Sequence, residues 1–288
     1  MEASNGASRA VLVTGASTGI GAASALELDR RGYRVFAGVR RTEDGERLSR
    51  QASPRLSHVI LDVTDLAAIQ AVAATLEEEL DGAGLAGLVN NAGIVIAGPL
   101  EILPLAHLRR QLEVNVIGQL AVTQAMLPLL RRARGRIVMV GSANGALSPP
   151  YLGAYASAKH ALEALCDALR LELRHTGILV SLVEPGPIRT PIWEKSRLTA
   201  DALAREVPPE ALELYAEDLG SFRTLVEKLA RESAPVESVV RDVVRALHTP
   251  RPKARYFDTW STRICFKGLR MLPDWLRDRI LCRQMGLR

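Results

Sequence analysis

Tyr155 and Lys159 stand four residues apart in Tyr155-Ala156-Ser157-Ala158-Lys159. On a helix that spacing puts both side chains on one face, a turn apart. A free phenol, with a pKa near ~10, is poorly matched to proton transfer at neutral pH. An ammonium beside it stabilises the phenolate and lowers that value. The pair can then give a proton to an oxygen that gains charge, or take one back. Standing alone, such a pair is ordinarily a solvated helix face, and two upstream features change the reading. Ser142 lies thirteen residues before Tyr155, with a hydroxyl able to hold a carbonyl oxygen. Further back, Thr14-Gly15-Ala16-Ser17-Thr18-Gly19-Ile20-Gly21 follows the apolar run 10–13 and opens a helical pattern with Ala25 and Leu28 on one side. Glycines 15, 19 and 21 let the backbone approach a pyrophosphate. A helix N-terminus there offers unpaired N–H groups and the positive end of its dipole. The competing reading, a glycine turn without a ligand, is disfavoured by the strand–turn–helix context.

These groups need a scaffold to hold them. Apolar, often β-branched segments at 10–13, 33–39, 56–61, 85–90, 136–140 and 178–183 alternate with helical patterns. The helices are expected after the glycine turn, at 66–80, over much of 105–130, and at 155–175. Such alternation predicts an α/β fold with a parallel sheet covered on both faces, in one domain spanning 1–288. Ser142 then falls at a strand end, where ligands meet parallel sheets. After Pro191 the alternation stops. Residues 191–235 read as a helical lid insertion carrying Pro208-Pro209. Helix returns at 236–247, and 255–257 forms a last strand.

Composition excludes several classes. Of the 288 residues 48% are hydrophobic and 24% charged, which is a globular mix and not a disordered one. Cys166, Cys265 and Cys282 fit neither a zinc cluster nor a redox pair, and the histidines have no ligand spacing, so no metal site is expected. Cys166 reads as core. Reduced, scattered thiols and an N-terminus, MEASNGASRA, without an apolar run argue for a cytoplasmic protein without a cleaved signal peptide. The uncharged stretch 137–158 is broken by Asn144, Gly145 and Pro149-Pro150 and does not read as membrane-spanning. The net charge of +5 comes from the tail: 251–288 carries +7 and the rest −2. With 4% aromatics, nucleic-acid binding is not expected.

The motifs resemble the short-chain dehydrogenase/reductase family. They are the glycine turn spaced TGxxxGxG, Asn90-Asn91-Ala92-Gly93, Ser142, Tyr155 with Lys159, and Pro185-Gly186, in the family's order. The match is close over residues 8–190 and looser beyond. It implies a Rossmann-type doubly wound sheet, a nicotinamide cofactor, and hydride transfer assisted by Tyr155. By resemblance Asn115 joins Ser142, Tyr155 and Lys159, kinking a helix and holding a water that connects the lysine to solvent. Contacts with cofactor are implied for Gly15, Ser17, Thr18, Gly19, Ile20, Gly21, Asp62, Val63, Asn91, Ala92, Gly93, Tyr155, Lys159, Pro185, Gly186, Ile188 and Thr190. Asn90 and Asn91 are expected to tie strands together. Asp62 has a second reading, as a helix cap reached through Thr64 and Asp65.

At the end of the second strand, Val39 stands where an acid would favour NAD, and Arg40-Arg41 follow. Guanidinium there suits NADP(H) over NAD(H), unless the two arginines are only surface charges paired with Glu43 or Asp44. Thr18 lacks the basic side chain that some NADP-preferring members carry. The lid is apolar and net acidic, −4 over 194–218, which favours a neutral lipophilic substrate, steroid-, retinoid- or polyketide-like. The segments 35–40 and 252–256 look like the retinol and hydroxysteroid dehydrogenase branch. Two alternatives remain: a tailoring ketoreductase acting on a carrier-protein-bound substrate, and a catalytically silent NADP-binding regulator. Helices apolar on several faces at 112–130 and 155–174 predict a homodimer or homotetramer. The basic amphipathic tail, 251–288, is read either as a peripheral membrane contact or as a cover for the pocket or a partner subunit.

Overall fold

The computed structural model describes residues 9–257, 259, 268, 269 and 271–286. Seven parallel strands lie in the order β3-β2-β1-β4-β5-β6-β7. They are β1 (Ala10–Val13), β2 (Arg34–Val39), β3 (Leu56–Ile60), β4 (Gly87–Asn90), β5 (Arg136–Val140), β6 (Leu179–Glu184) and β7 (Arg255–Phe257). The central strands bury every residue (Val11, Leu12, Leu88 and Val89 among them) because helices cover both faces. On one face, α3 (Leu66–Leu80), α5 (Gly118–Ala133) and α6 (Gly153–Glu172) enclose a core around Phe36, Met126 and Leu162. On the other, α1 (Gly19–Arg30) and α10 (Glu237–His248) enclose one around Leu28, Val35 and Val243. Cys166 belongs to the first core, and burial pushes its thiol up to about 12. The doubly wound sheet expected from the alternation is thus present.

The strand order reverses between β1 and β4, which leaves a crevice at their carboxyl ends. Thr14 closes it from behind. Its hydroxyl accepts from the N–H groups of Asn91 (2.9 Å) and Ala92 (3.0 Å). The Asn91 amide donates to the carbonyls of Thr14 and Gly15, and Asn90 donates to Thr123 at 2.7 Å. The asparagines therefore tie strands together as expected.

Three details depart from the sequence-derived elements. A short helix, α2 (Thr42–Ser49), follows β2; its one buried aliphatic side chain, Leu48, leaves no apolar stripe to read. The long helix expected over 105–130 is broken into α4 (Leu105–Leu112) and α5 by a π-turn, Glu113–Ile117. Gly118 then passes so close to the chain after β3 that a β-carbon there would lie 2.5 Å from the Val63 carbonyl oxygen. Within the lid, α7 (Ile192–Ala204), α8 (Pro209–Glu213) and α9 (Ala216–Glu232) are separate pieces. The lid begins and ends at one place: Arg189 N–H donates to the Ala234 carbonyl and Ala234 N–H to that of Pro187, both at 2.9 Å. The tail carries α11 (Asp274–Gln284).

Candidate active site

A cleft of about 1620 Å³ runs along the carboxyl ends of the strands and under the lid. The phosphate turn forms one end. Gly15 and Gly19 have φ of +64° and +60°, the left-handed region where a side chain is strained. A β-carbon at Gly15 would also come within 2.8 Å of Ala92, and one at Gly21 within 2.4 Å of the Gly15 carbonyl. Thr18 occupies the N-cap of α1 without capping it by its side chain, and the first turn holds no acid. The helix thus keeps open N–H groups and an uncompensated positive end, the donor set that a diphosphate requires. Arg47 of α2 anchors the turn from outside by donating to the Ser17 carbonyl at 3.1 Å.

The second cluster stands where β5 and α6 meet. Ser142 caps a short turn after β5, its hydroxyl accepting from Asn144 N–H at 3.2 Å. Tyr155 and Lys159 lie one turn apart on α6, as the spacing requires. Lys159 is buried, donates to the Val140 carbonyl at 2.8 Å, and holds its ammonium 5.7 Å from the centre of the Tyr155 ring. Burial brings the Lys159 pKa down to about 8. The expected lowering of the Tyr155 pKa is not the net result here. Burial moves the phenol upward, and a hydrogen bond with Ser142 pulls the other way. The ammonium is engaged by Val140, so the serine is the group that favours the phenolate.

Asn115 sits fully buried in the π-turn, and its amide both accepts from Ile94 N–H and donates to Ile94 carbonyl, each at 2.9 Å. It does not act alone. Gln111 binds Ile96 N–H (2.8 Å) and the Ile94 carbonyl (2.9 Å), and Gln119 donates to the Ala92 carbonyl at 2.9 Å. Residues 111, 115 and 119 form a stripe of buried amides that reads the backbone of the loop after β4. Sequence reasoning found Asn115 only by resemblance and missed both glutamines. The available signal was three carboxamides at intervals of four along one helical segment.

Nearly all the expected cofactor positions line the same cleft: Gly15, Ser17, Thr18, Gly19, Ile20, Arg40, Asp62, Val63, Asn91, Ala92, Gly93, Pro185, Gly186, Ile188 and Thr190. Gly21 and Arg41 do not. Gly21 packs behind the turn, and Arg41 is spent on Asp44 at 3.1 Å, together with Arg47 at 2.7 Å. Burial works upward on Asp62. Hydrogen bonds from the Thr64 N–H and hydroxyl, and the nearby Arg40 and Arg110, outweigh it and hold the carboxyl below its usual range. The cap of α3 is Asp65, which accepts from Ala67 and Ala68 N–H, so Asp62 is left facing the cleft.

The lid closes the far side. Trp193 donates to the Ile188 carbonyl at 2.7 Å, Tyr151 to Asp218 at 2.9 Å, and Tyr215 to Glu101; His107 meets Glu206 at 2.8 Å. Leu203 and Val207 pack with Ile96 and Leu103, whereas Leu198 and Leu214 stay exposed. From the tail, Leu281 and Met285 reach the cleft, with Met285 buried, and Trp275 and Met271 face outward. The tail residues 260–267 on which the membrane reading also drew lie outside the described residues. Among the described residues no helix is long and apolar enough to cross a membrane, and no cluster of metal-ligating side chains occurs.

The reversed strand order, the uncapped phosphate turn and the cleft that joins it to Tyr155 define a dinucleotide-binding α/β oxidoreductase. The chain belongs to the short chain dehydrogenase family, whose model matches residues 9–201. It is similar to human retinol dehydrogenase 5, with 38% identity over 280 residues, 94% of this chain and 87% of that protein. It is also 33% identical to an NADPH-dependent 3-dehydrocapnine reductase of Ornithobacterium rhinotracheale, over 96% of this chain and 97% of the relative. A short chain dehydrogenase from Burkholderia cenocepacia, solved in complex with NADP, superposes with a TM-score of 0.72 at 26% identity. That match covers 95% of this chain and 98% of the other.

Proposed function

We propose that this enzyme interconverts a carbonyl and an alcohol on a hydrophobic substrate, with NADP(H) as its cofactor and Tyr155 as its proton donor and acceptor. The observation that carries the reading is the single cleft shared by the phosphate turn, Asn115, Ser142, Tyr155 and Lys159. When bound, the nicotinamide supplies or accepts the hydride. Ser142 holds the substrate oxygen and hydrogen-bonds the phenol, and Tyr155 passes its proton to that oxygen in reduction or removes one in oxidation. Lys159, held at the Val140 carbonyl one turn along α6, keeps the tyrosine replenished with protons. Asn115 fixes the loop that borders this corner.

Arg40 supports NADP(H). It lines the cleft beside Val39, and no carboxylate stands at that position to repel a ribose phosphate. Leu147, Leu152, Leu203, Leu219 and Phe222 give the other end of the cleft an apolar wall suited to a lipophilic substrate. The closing test is turnover with NADPH and NADP+ against lipophilic ketones, aldehydes and secondary alcohols, repeated with Tyr155→Phe. That variant should bind cofactor normally and lose about 10²–10⁴-fold in kcat. Retention of most of the rate would remove Tyr155 from the mechanism.

A further inference from the structure

Lys195, an exposed residue in the first turn of the lid helix α7, donates from its ammonium to the Thr18 hydroxyl at 3.1 Å across 177 residues of sequence. This placement is electrostatically odd. Thr18 is the N-cap of α1, and Lys195 itself lies near the start of α7. A cation beside helix N-termini meets the positive end of the dipole and is disfavoured there. No carboxylate among the described residues forms an ion pair with Lys195, although acids are plentiful in the lid. The N–H groups of α1 also point to this corner, left open because the Thr18 hydroxyl serves the lysine and caps nothing.

We infer that Lys195 is a lid-borne ligand for the diphosphate of the dinucleotide, and that it couples cofactor binding to closure of the lid. The inference rests on the cofactor site proposed above. An anion seated on the turn reverses the local sign: the lysine and the helix N-terminus, which repel one another without it, then both face negative charge. The lid is built to follow. Its first residues are fixed to the cofactor side by the Trp193 bond to Ile188, and Thr190 already lies against Gly19, within 3.2 Å of where a β-carbon would stand. α7 runs on from there to Leu203, which packs over the substrate end. A diphosphate held by Lys195 therefore steadies the cover of the substrate pocket before substrate arrives. Lys195 also puts a cation at Thr18, the position without a basic side chain of its own.

Calorimetric titration of wild type, Lys195→Met and Lys195→Arg with NADPH, NADH and adenosine 2′-monophosphate tests this. Limited trypsin digestion with and without saturating NADPH, read at Arg197 and Arg205, supplies a second readout. In Lys195→Met both dinucleotides should bind about tenfold more weakly or worse, a charge-assisted hydrogen bond being lost. The monophosphate should be unaffected, and Lys195→Arg should restore binding. NADPH should protect the lid from trypsin in wild type and not in Lys195→Met. Unchanged affinities, a loss confined to NADPH, or full protection of the Met variant's lid would each overturn the inference. Wild type that binds neither dinucleotide would instead refute the cofactor site itself.

Discussion

Lys159→Met should stabilise the folded protein while removing its activity. Lys159 is 5% exposed, and burial brings its pKa from 10.5 to about 8. At ~1.4 kcal/mol per tenfold change, folding the charged lysine costs about 3 kcal/mol near pH 7. Methionine fills a similar volume without that desolvation. It leaves the Val140 carbonyl without its 2.8 Å donor, a loss of about 1 kcal/mol. The net expectation at pH 7 is a gain of about 2 kcal/mol, readable as a higher urea midpoint. The penalty fades with alkali. Below about pH 8 folded and unfolded chains both hold the proton, so the penalty is complete. Between about 8 and 10.5 the unfolded chain keeps a proton that the folded chain has released, so wild type gains stability as pH rises. The difference between variant and wild type should therefore be greatest at pH 7 and shrink steadily towards pH 10. A variant less stable than wild type at pH 7, or a difference that ignores pH, would refute the reasoning.

Arg40→Ala should weaken NADPH by about 1.5–3 kcal/mol with little effect on NADH; equal losses in titrations of both would reduce Arg40 to a surface charge. Gln111→Leu leaves the Ile96 N–H unpaired in a buried place and takes one of two donors from the Ile94 carbonyl, which keeps Asn115, so thermal unfolding should show a loss of about 1–3 kcal/mol. Static light scattering should give a mass above that of the 31.3 kDa chain, since Ile117 and Leu171 stand about half exposed or more on the outer faces of the α5 and α6 region. A monomer mass at micromolar concentration would contradict that expectation.

What was legible in the sequence was what repeats or alternates. The bounds of α3, β5 and β7 follow from apolar runs meeting turn residues, and the glycine turn and Tyr155–Lys159 follow from spacing along one local element. What escaped depends on contacts between distant segments. Lys195 reads as one charge in a net acidic lid until α7 brings it to Thr18. Gln111 and Gln119 read as helix polar residues until the loop after β4 presents unpaired backbone to them. Arg41 could not be separated from Arg40 by composition; only the direction of the chain entering α2 sends one to Asp44 and leaves the other at the cleft. The net shift of the phenol was misjudged because burial, which moves it upward and is set by the elements packed around α6, is invisible in the spacing of side chains.

The π-turn at Glu113–Ile117 bears on which length changes this gene could survive. In an unbroken α-helix four residues advance roughly 400°, so Gln119 would stand about 80° around the axis from Gln111. The wider turn absorbs that drift and keeps 111, 115 and 119 in line with one loop. The π-turn is in effect one residue added to an α-helix. Deleting a single residue from 113–117, other than Asn115, would leave Gln119 seven positions after Gln111, an advance of about 700°, so an ordinary helix would keep both on one side. Gln119 would stay near Ala92, and the apolar face of α5 would stay on the sheet. A further residue added there would rotate everything beyond it by about 100°. An insertion at the loop between α8 and α9 would meet no such constraint. This five-residue window should therefore lose a residue more readily than it gains one, and the buried amides are a more durable inheritance than its length.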